Sequence, residues 1–214
     1  MSFVERYGVG TSVETSELAN GALTLGRLLN AHLDAATDLT WFVGLDGDDD
    51  SPGTSWATRK RTIRSVIDDP AFGDNQGIVL GPGTHHSHGR MAHQTQRFLD
   101  LSSHTGVNIY GMGSGISQLA LDGYKNLGNP SIALGAGCGL YGLVLRGHLT
   151  KTVITGAGLI QVAGAGATID GCRIEALDTA ITASAGFTLR NSYVIGQEYG
   201  VLGQLFGGGT LLIE

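Results

Sequence analysis

Three groups of residues have types and spacings that could do chemistry. The turn Asp46-Gly47-Asp48-Asp49-Asp50 sets carboxylates at alternate positions, as the first half of a calcium-binding EF-hand loop does. Its second half departs from that loop. Position six is Ser51 where a glycine is required, and position twelve is Ala57 instead of a bidentate Glu. The turn is therefore expected to be solvated and to feed a helix N-terminus, where carboxylates are favoured. The second group is His85, His86, His88 and His93, with His104 further on. A zinc or nickel site needs three or four converging nitrogens, and no nearby Cys or carboxylate completes a ligand spacing. These residues are expected on a solvated loop; one of them meeting its copies on an oligomer axis is the remaining route to an ion. The third group is charged pairs, Asp170 with Arg190 and Glu175 with Arg146. Glycoside hydrolysis needs two acids set several ångströms apart, whereas opposite charges on adjacent strands read as cross-strand ion pairs. Asp100 and Asp122 fall in less regular segments. Gly111-Met112-Gly113-Ser114-Gly115 and Gly164-Ala165-Gly166 lack the Lys-Ser/Thr ending of a phosphate loop and read as bends. No residue is assigned a catalytic, cofactor-binding or metal-binding role.

What must position these groups is a repeat over 130–214. Leu140-Tyr141-Gly142-Leu143-Val144-Leu145-Arg146, Ile169-Asp170-Gly171-Cys172-Arg173-Ile174-Glu175 and Leu189-Arg190-Asn191-Ser192-Tyr193-Val194-Ile195 align without gaps. Down the columns, Leu/Ile/Leu and Leu/Ile/Val are apolar, Tyr/Asp/Arg and Arg/Glu/Ile are mostly wet, and Gly/Gly/Asn marks a bend with unusual backbone angles. Each segment is thus a short strand, a turn and a second strand. Before each, a run from Ile132, Ile160 or Ile181 closes on small residues, and a similar run begins at Val201. A period of about twenty to thirty residues, built of short strands and Gly-rich bends, is the signature of a parallel β-solenoid. Stacking sets like side chains about 4.8 Å apart, so each apolar column becomes a continuous core. Cys138 and Cys172 lie inside the repeat and are expected to be buried free thiols.

Composition agrees. Thirty-five glycines in 214 residues, with 15% charged residues, suit short strands and turns. A net charge of −6 argues against nucleic acid or an anionic membrane as principal partner. No apolar stretch has the length of a bilayer span, and the N-terminus lacks a signal-peptide core, so a soluble protein made without an export signal is expected.

Ahead of the repeat, residues 1–14 read as an extended arm. Leu25, Leu28, Leu29 and Leu33 predict a helix over about 23–36. Thr40-Trp41-Phe42-Val43-Gly44-Leu45 predicts a strand, 57–67 a helix with Ile63, Val66 and Ile67 on one side, and Gly77-Ile78-Val79-Leu80-Gly81-Pro82-Gly83-Thr84 a buried strand ending in a turn. An aromatic-Val strand, an Asp/Gly-rich turn with Pro-Gly-Thr, a short helix carrying Arg-Thr-Ile, then Ile-Val-Leu-x-Pro-Gly-Thr and Val107-Asn108-Ile109-Tyr110-Gly111 resemble the start of right-handed parallel β-helix proteins of the pectate-lyase-like and phage tailspike-like type. The resemblance covers roughly residues 40–214. It departs at Trp56-Ala57-Thr58-Arg59-Lys60, which replaces the usual Pro-Phe before Thr-Ile.

The resemblance implies a short right-handed single-stranded parallel β-helix with an N-terminal arm and a helical cap over the first rung. Three regions are expected: 1–40 as arm and helix, 41–76 as strand, acidic turn and capping helix, and 77–214 as a solenoid of about six rungs, about 30 Å long. In such proteins a homotrimer is common, and the apolar end Thr210-Leu211-Leu212-Ile213 is expected to be covered by the N-terminal segment or another subunit. Lyases of the fold hold calcium with clustered carboxylates beside an Arg base, and enzymes of the fold have longer solenoids with elaborate loops. The expectation is a structural virion protein without cofactor: a trimeric decoration (cement) protein on a phage head, contacting the major capsid protein. The alternative is a tailspike or receptor-binding module that binds or cleaves surface polysaccharide, as a lyase or hydrolase.

Overall fold

One column of side chains fixes the register of the molecule. Trp41, Ile78, Ile109, Leu140, Ile169, Leu189 and Ile213 are successive partners in one parallel sheet. The first six are at most 5% exposed, and each such side chain contributes about 1.5–3 kcal/mol by leaving water.

The computed structural model describes residues 6–7, 11–12, 39–86, 99–113, 116–121, 131–147, 158–176, 179–196, 199–203 and 211–213. Met1–Thr37 and Asp38–Glu214 are separate units. In the first, β1 (Arg6–Tyr7) pairs antiparallel with β2 (Thr11–Ser12). The helix expected over 23–36 lies outside the described residues.

The second unit is a parallel β-helix with three faces. Face I holds β3 (Thr40–Val43), β4 (Gly77–Leu80), β7 (Asn108–Tyr110), β10 (Gly139–Tyr141), β13 (Ala167–Asp170), β16 (Phe187–Arg190) and β19 (Leu211–Ile213). Face II holds β5 (Gly83–His86), β8 (Ser117–Leu121), β11 (Val144–Gly147), β14 (Arg173–Ala176) and β17 (Tyr193–Gly196). Face III holds β6 (Leu99–Leu101), β9 (Ile132–Leu134), β12 (Ile160–Val162), β15 (Thr179–Ala183) and β18 (Tyr199–Gly203). About six rungs were expected. Among the described residues faces II and III have five strands each, and β3 and β19 extend face I at its two ends.

The three aligned segments straddle the bend from face I to face II, and the Gly/Gly/Asn column stands at the corner. Gly142, Gly171 and Asn191 have φ of 61°, 62° and 50°, the left-handed region that costs a side chain with a Cβ about 1–2 kcal/mol. A second such column, Gly106, Gly137 and Gly166, turns face III into face I, and Asn75 takes the same backbone angle just ahead of β4. The unequal lengths of the repeats have a simple location. In one rung twelve residues separate Gly147 from Ile160, in the next two separate Ala176 from Thr179, so the surplus falls between faces II and III and leaves every register intact.

The helix at the start is shorter than expected. The spacing of Ile63, Val66 and Ile67 predicts a helix over 57–67, but α1 spans Ile63–Ile67. Lys60 is held as a parallel bridge to Val43: its N–H donates to Phe42 O and its carbonyl accepts from Gly44 N, both at 2.9 Å. An extended Lys60 cannot lie inside a helix, so α1 starts after Thr62, whose Oγ1 accepts from Ser65 N as the N-cap. Ile63 and Val66 then join the core beside Trp41 and Val43.

Candidate functional site

The acidic turn proves to be a clamp. Asp49 accepts hydrogen bonds from the backbone N–H of Arg61 (2.9 Å) and Thr62 (2.8 Å) and from the hydroxyls of Thr62 (3.1 Å) and Ser65 (2.7 Å). Burial works against its charge, yet the hydrogen bonds from Ser65, Thr62 and Arg61 prevail and hold the carboxyl below its usual range. Asp46 pairs with Arg59, whose Nε donates to it at 2.7 Å. The expectation of a turn feeding a helix N-terminus holds for Asp49, with direct docking replacing solvation. Behind it Lys60, 5% exposed, reaches Asp69 Oδ2 and Asp49 O, each at 3.2 Å, and lies 5.9 Å from the Trp41 ring centre.

The histidines are distributed otherwise than the sequence predicts. His85 and His86 were expected on a solvated loop, but both lie in β5. His85 is the first member of the inward column His85, Leu119, Leu145, Ile174, Val194; it is 4% exposed, with Nε2 3.1 Å from Gly81 O. Burial lowers its pKa, because an imidazolium there would be poorly solvated. His86 is exposed. His104 meets Phe72 edge-on at 5.2 Å and lies 3.5 Å from Asp74. His88, His93 and Asp122 lie outside the described residues. Among the described residues, no group of three or more His, Cys, Asp or Glu is close enough to hold an ion. Asp100, on β6, accepts from the N–H and hydroxyl of Ser102.

Both thiols are free and buried, as expected. Cys172 lies against the carbonyls of Asp170 and Leu140, and burial pushes its pKa to about 11.

The charged pairs sit where the column alignment places them. Asp170 is the register partner of Arg190, and Arg190 Nε donates to it at 2.9 Å while Asn191 Nδ2 donates to its other oxygen at 2.9 Å. Arg146 is the partner of Glu175, with Nε to carboxylate 3.1 Å. Arg173 precedes Glu175 by two residues on the same strand and so shares its outward side; its Nε donates to the other Glu175 oxygen. One carboxylate is thereby held between two guanidiniums. Hydrogen bonding from Arg173 is the largest effect lowering the Glu175 pKa, with Arg146 adding to it. A carboxylate kept ionised in this way is a poor proton donor at neutral pH.

Beside this triad is a hollow of about 330 Å³, lined by Gln118, Val144, Arg146, Arg173, Asn191 and Tyr193 with the Gly171–Cys172 bend. Gln118, Val144, Arg173 and Tyr193 are register partners on consecutive strands. Val144 is the short member, which makes the hollow. The Arg173 guanidinium lies 5.4 Å from the centre of the Tyr193 ring, and Tyr193 is 58% exposed. Sequence reasoning identified Arg146 and Glu175 but missed Gln118, Arg173, Asn191 and Tyr193 as neighbours in one depression. The available signal was the Val/Arg/Tyr column of the alignment, with a flat ring and a cation in a position open to solvent.

No family model, curated protein or solved structure matches this chain.

Proposed function

We propose that this chain is a structural virion protein: a homotrimeric decoration protein seated on a phage head in contact with the major capsid protein. One observation carries this reading. The outward charged side chains that the repeat places in register are engaged with each other across rungs, Asp170 with Arg190 and Glu175 with Arg146, so the surface of the rod carries paired opposite charges in place of paired acids. The core beneath it is continuous from Trp41 to Leu189. Such a rod suits a protein whose work is to stand on a lattice and resist unfolding. The resemblance of roughly residues 40–214 to parallel β-helix proteins of the pectate-lyase-like and phage tailspike-like type supports the same reading. Exposed Leu45, Trp56 and Ile116 offer apolar surface for a contact between copies.

The test is addition of the purified protein to undecorated phage heads. Saturable binding in multiples of three, with a raised temperature of head disruption, is the expected result. Light scattering on the eluting protein should give three copies per particle. A monomer that neither binds nor stabilises heads would sink the proposal.

A further inference from the structure

Two exposed patches of this chain complement each other. The first is the acidic turn 46–50. Asp49 and Asp46 are engaged with the residues leading into α1 and with Arg59, which fixes the turn and leaves Asp48 and Asp50 exposed. Lys60 is taken up by Asp69 and Arg61 is the other exposed cation of the loop, so the turn keeps an excess of negative charge. Leu45, 48% exposed, stands directly before it and close against Gly83, where β5 begins.

The second patch is the hollow on face II. Arg146 and Arg173 share the single carboxylate of Glu175, so the hollow keeps an excess of positive charge on a chain whose net charge is −6. The neighbouring Arg190 is matched by Asp170. Tyr193 and Ile195 on β17, 58% and 38% exposed, add apolar surface beside it. Each patch therefore sets apolar side chains beside unbalanced charge, and the charges are of opposite sign. They cannot meet within one copy. Leu45 stands at the level of β5 and Arg173 three strands further along face II, about 14 Å up the stack, while the bonds of Asp46 and Asp49 hold the turn in place.

We infer that the acidic turn of one copy seats in the face II hollow of another, with Asp48 and Asp50 at Arg146 and Arg173 and Leu45 against Tyr193. A cyclic trimer is joined by heterologous contacts of this kind, in which two different patches must match. Both patches are held in shape before they meet, so little side-chain freedom is lost. The inference rests on the reading of this chain as a homotrimer and names the surfaces that join its copies.

Light scattering on the eluting full chain, over a range of concentration and salt, tests it. Asp50→Lys and Arg173→Glu, each setting like charges face to face, should each raise the concentration at which copies separate at least about tenfold, and added salt should loosen the unsubstituted assembly. The two substitutions together restore opposite charges and should recover most of the loss. Both side chains are exposed, so an unchanged circular dichroism spectrum separates lost assembly from lost folding. Asp100→Lys changes the net charge as Asp50→Lys does but lies on face III, and it should leave assembly as it was. Assembly indifferent to both reversals, no recovery in the double variant, or an equal loss in Asp100→Lys would overturn the contact while the homotrimer stands. An unsubstituted chain that elutes as a monomer would overturn both. A dimer that the single reversals disrupt and the double variant restores would keep the contact and overturn the homotrimer.

Discussion

The start of the solenoid and its middle are held by opposite means. From β10 to β17 the structure repeats: Leu140, Ile169 and Leu189 do the same thing one layer apart, as do Gly142, Gly171 and Asn191 at the corner. Around β3 and α1 nothing repeats. Asp49 clamps the residues that lead into α1, Lys60 fills a bridge position beside Trp41, and Asp46 ties down Arg59, each once. Where contacts repeat, stability is a sum of similar layers and small outward charges matter little. At the end of the stack a single polar side chain closes a structure that no neighbouring layer supports.

The comparison can be broken at several strengths. The largest effect is expected in the middle: Ile169→Ala, at a position with no exposed surface, should cost about 2–5 kcal/mol in urea unfolding. A smaller loss would mean that neighbouring layers collapse into the space. At the start, Asp49→Ala should cost about 2 kcal/mol, since it leaves the N–H groups of Arg61 and Thr62 and the hydroxyls of Thr62 and Ser65 without their carboxylate together. Hydrogen exchange should then show α1 opening ahead of the rungs, and uniform loss of protection would erase the distinction between the regions.

His85 gives a third contrast, one of pH. Its folded pKa lies below its ordinary value of 6.5, so the unfolded chain binds the extra proton first. Its contribution to stability is fully present above pH 6.5 and is lost as pH falls towards the folded pKa, with a slope of at most about 1.4 kcal/mol per pH unit. His85→Leu should flatten that part of the stability curve, measured by denaturant titration at successive pH values. At the corner, Gly171→Ala should cost about 1–2 kcal/mol from backbone conformation alone, because the nearest heavy atom to an added Cβ is 3.8 Å away. Asn191→Gly, at the equivalent corner one rung on, should change stability less, its left-handed backbone being relieved while one hydrogen bond to Asp170 is lost. The smallest effect belongs to the outward pairs. Arg190→Ala should shift stability by a few tenths of a kcal/mol, and a loss above about 1 kcal/mol would show that the outer ladder holds the fold as the core does.

Reading the sequence recovers one of these regions far better than the other. The Leu/Ile/Leu column, the Gly/Gly/Asn corner and the pairs Asp170–Arg190 and Glu175–Arg146 all follow from aligning three segments, because a register error of one residue would turn every apolar side chain outward. At the start there is no second copy to align. The helical spacing of Ile63, Val66 and Ile67 says that a helix exists, and says nothing of the bridge between Lys60 and Val43 that delays it to Ile63. The histidine cluster from His85 to His93 reads as a solvated loop, and nothing local marks His85 as inward. Its inward position follows from pairing with Leu119, more than thirty residues along the chain.

The amino-acid sequence by itself determined the layers: which side chains stack, where the chain turns, and which charges face one another. That information is written several times over at short range, and alternation along a strand makes it legible. Folding in three dimensions decided the unrepeated features, namely the docking of Asp49 on α1, the burial of Lys60 and His85, and the gathering of Gln118, Val144, Arg173 and Tyr193 into one hollow. Each of these joins residues distant in the chain through a single contact, and a contact made only once leaves no periodic trace to read.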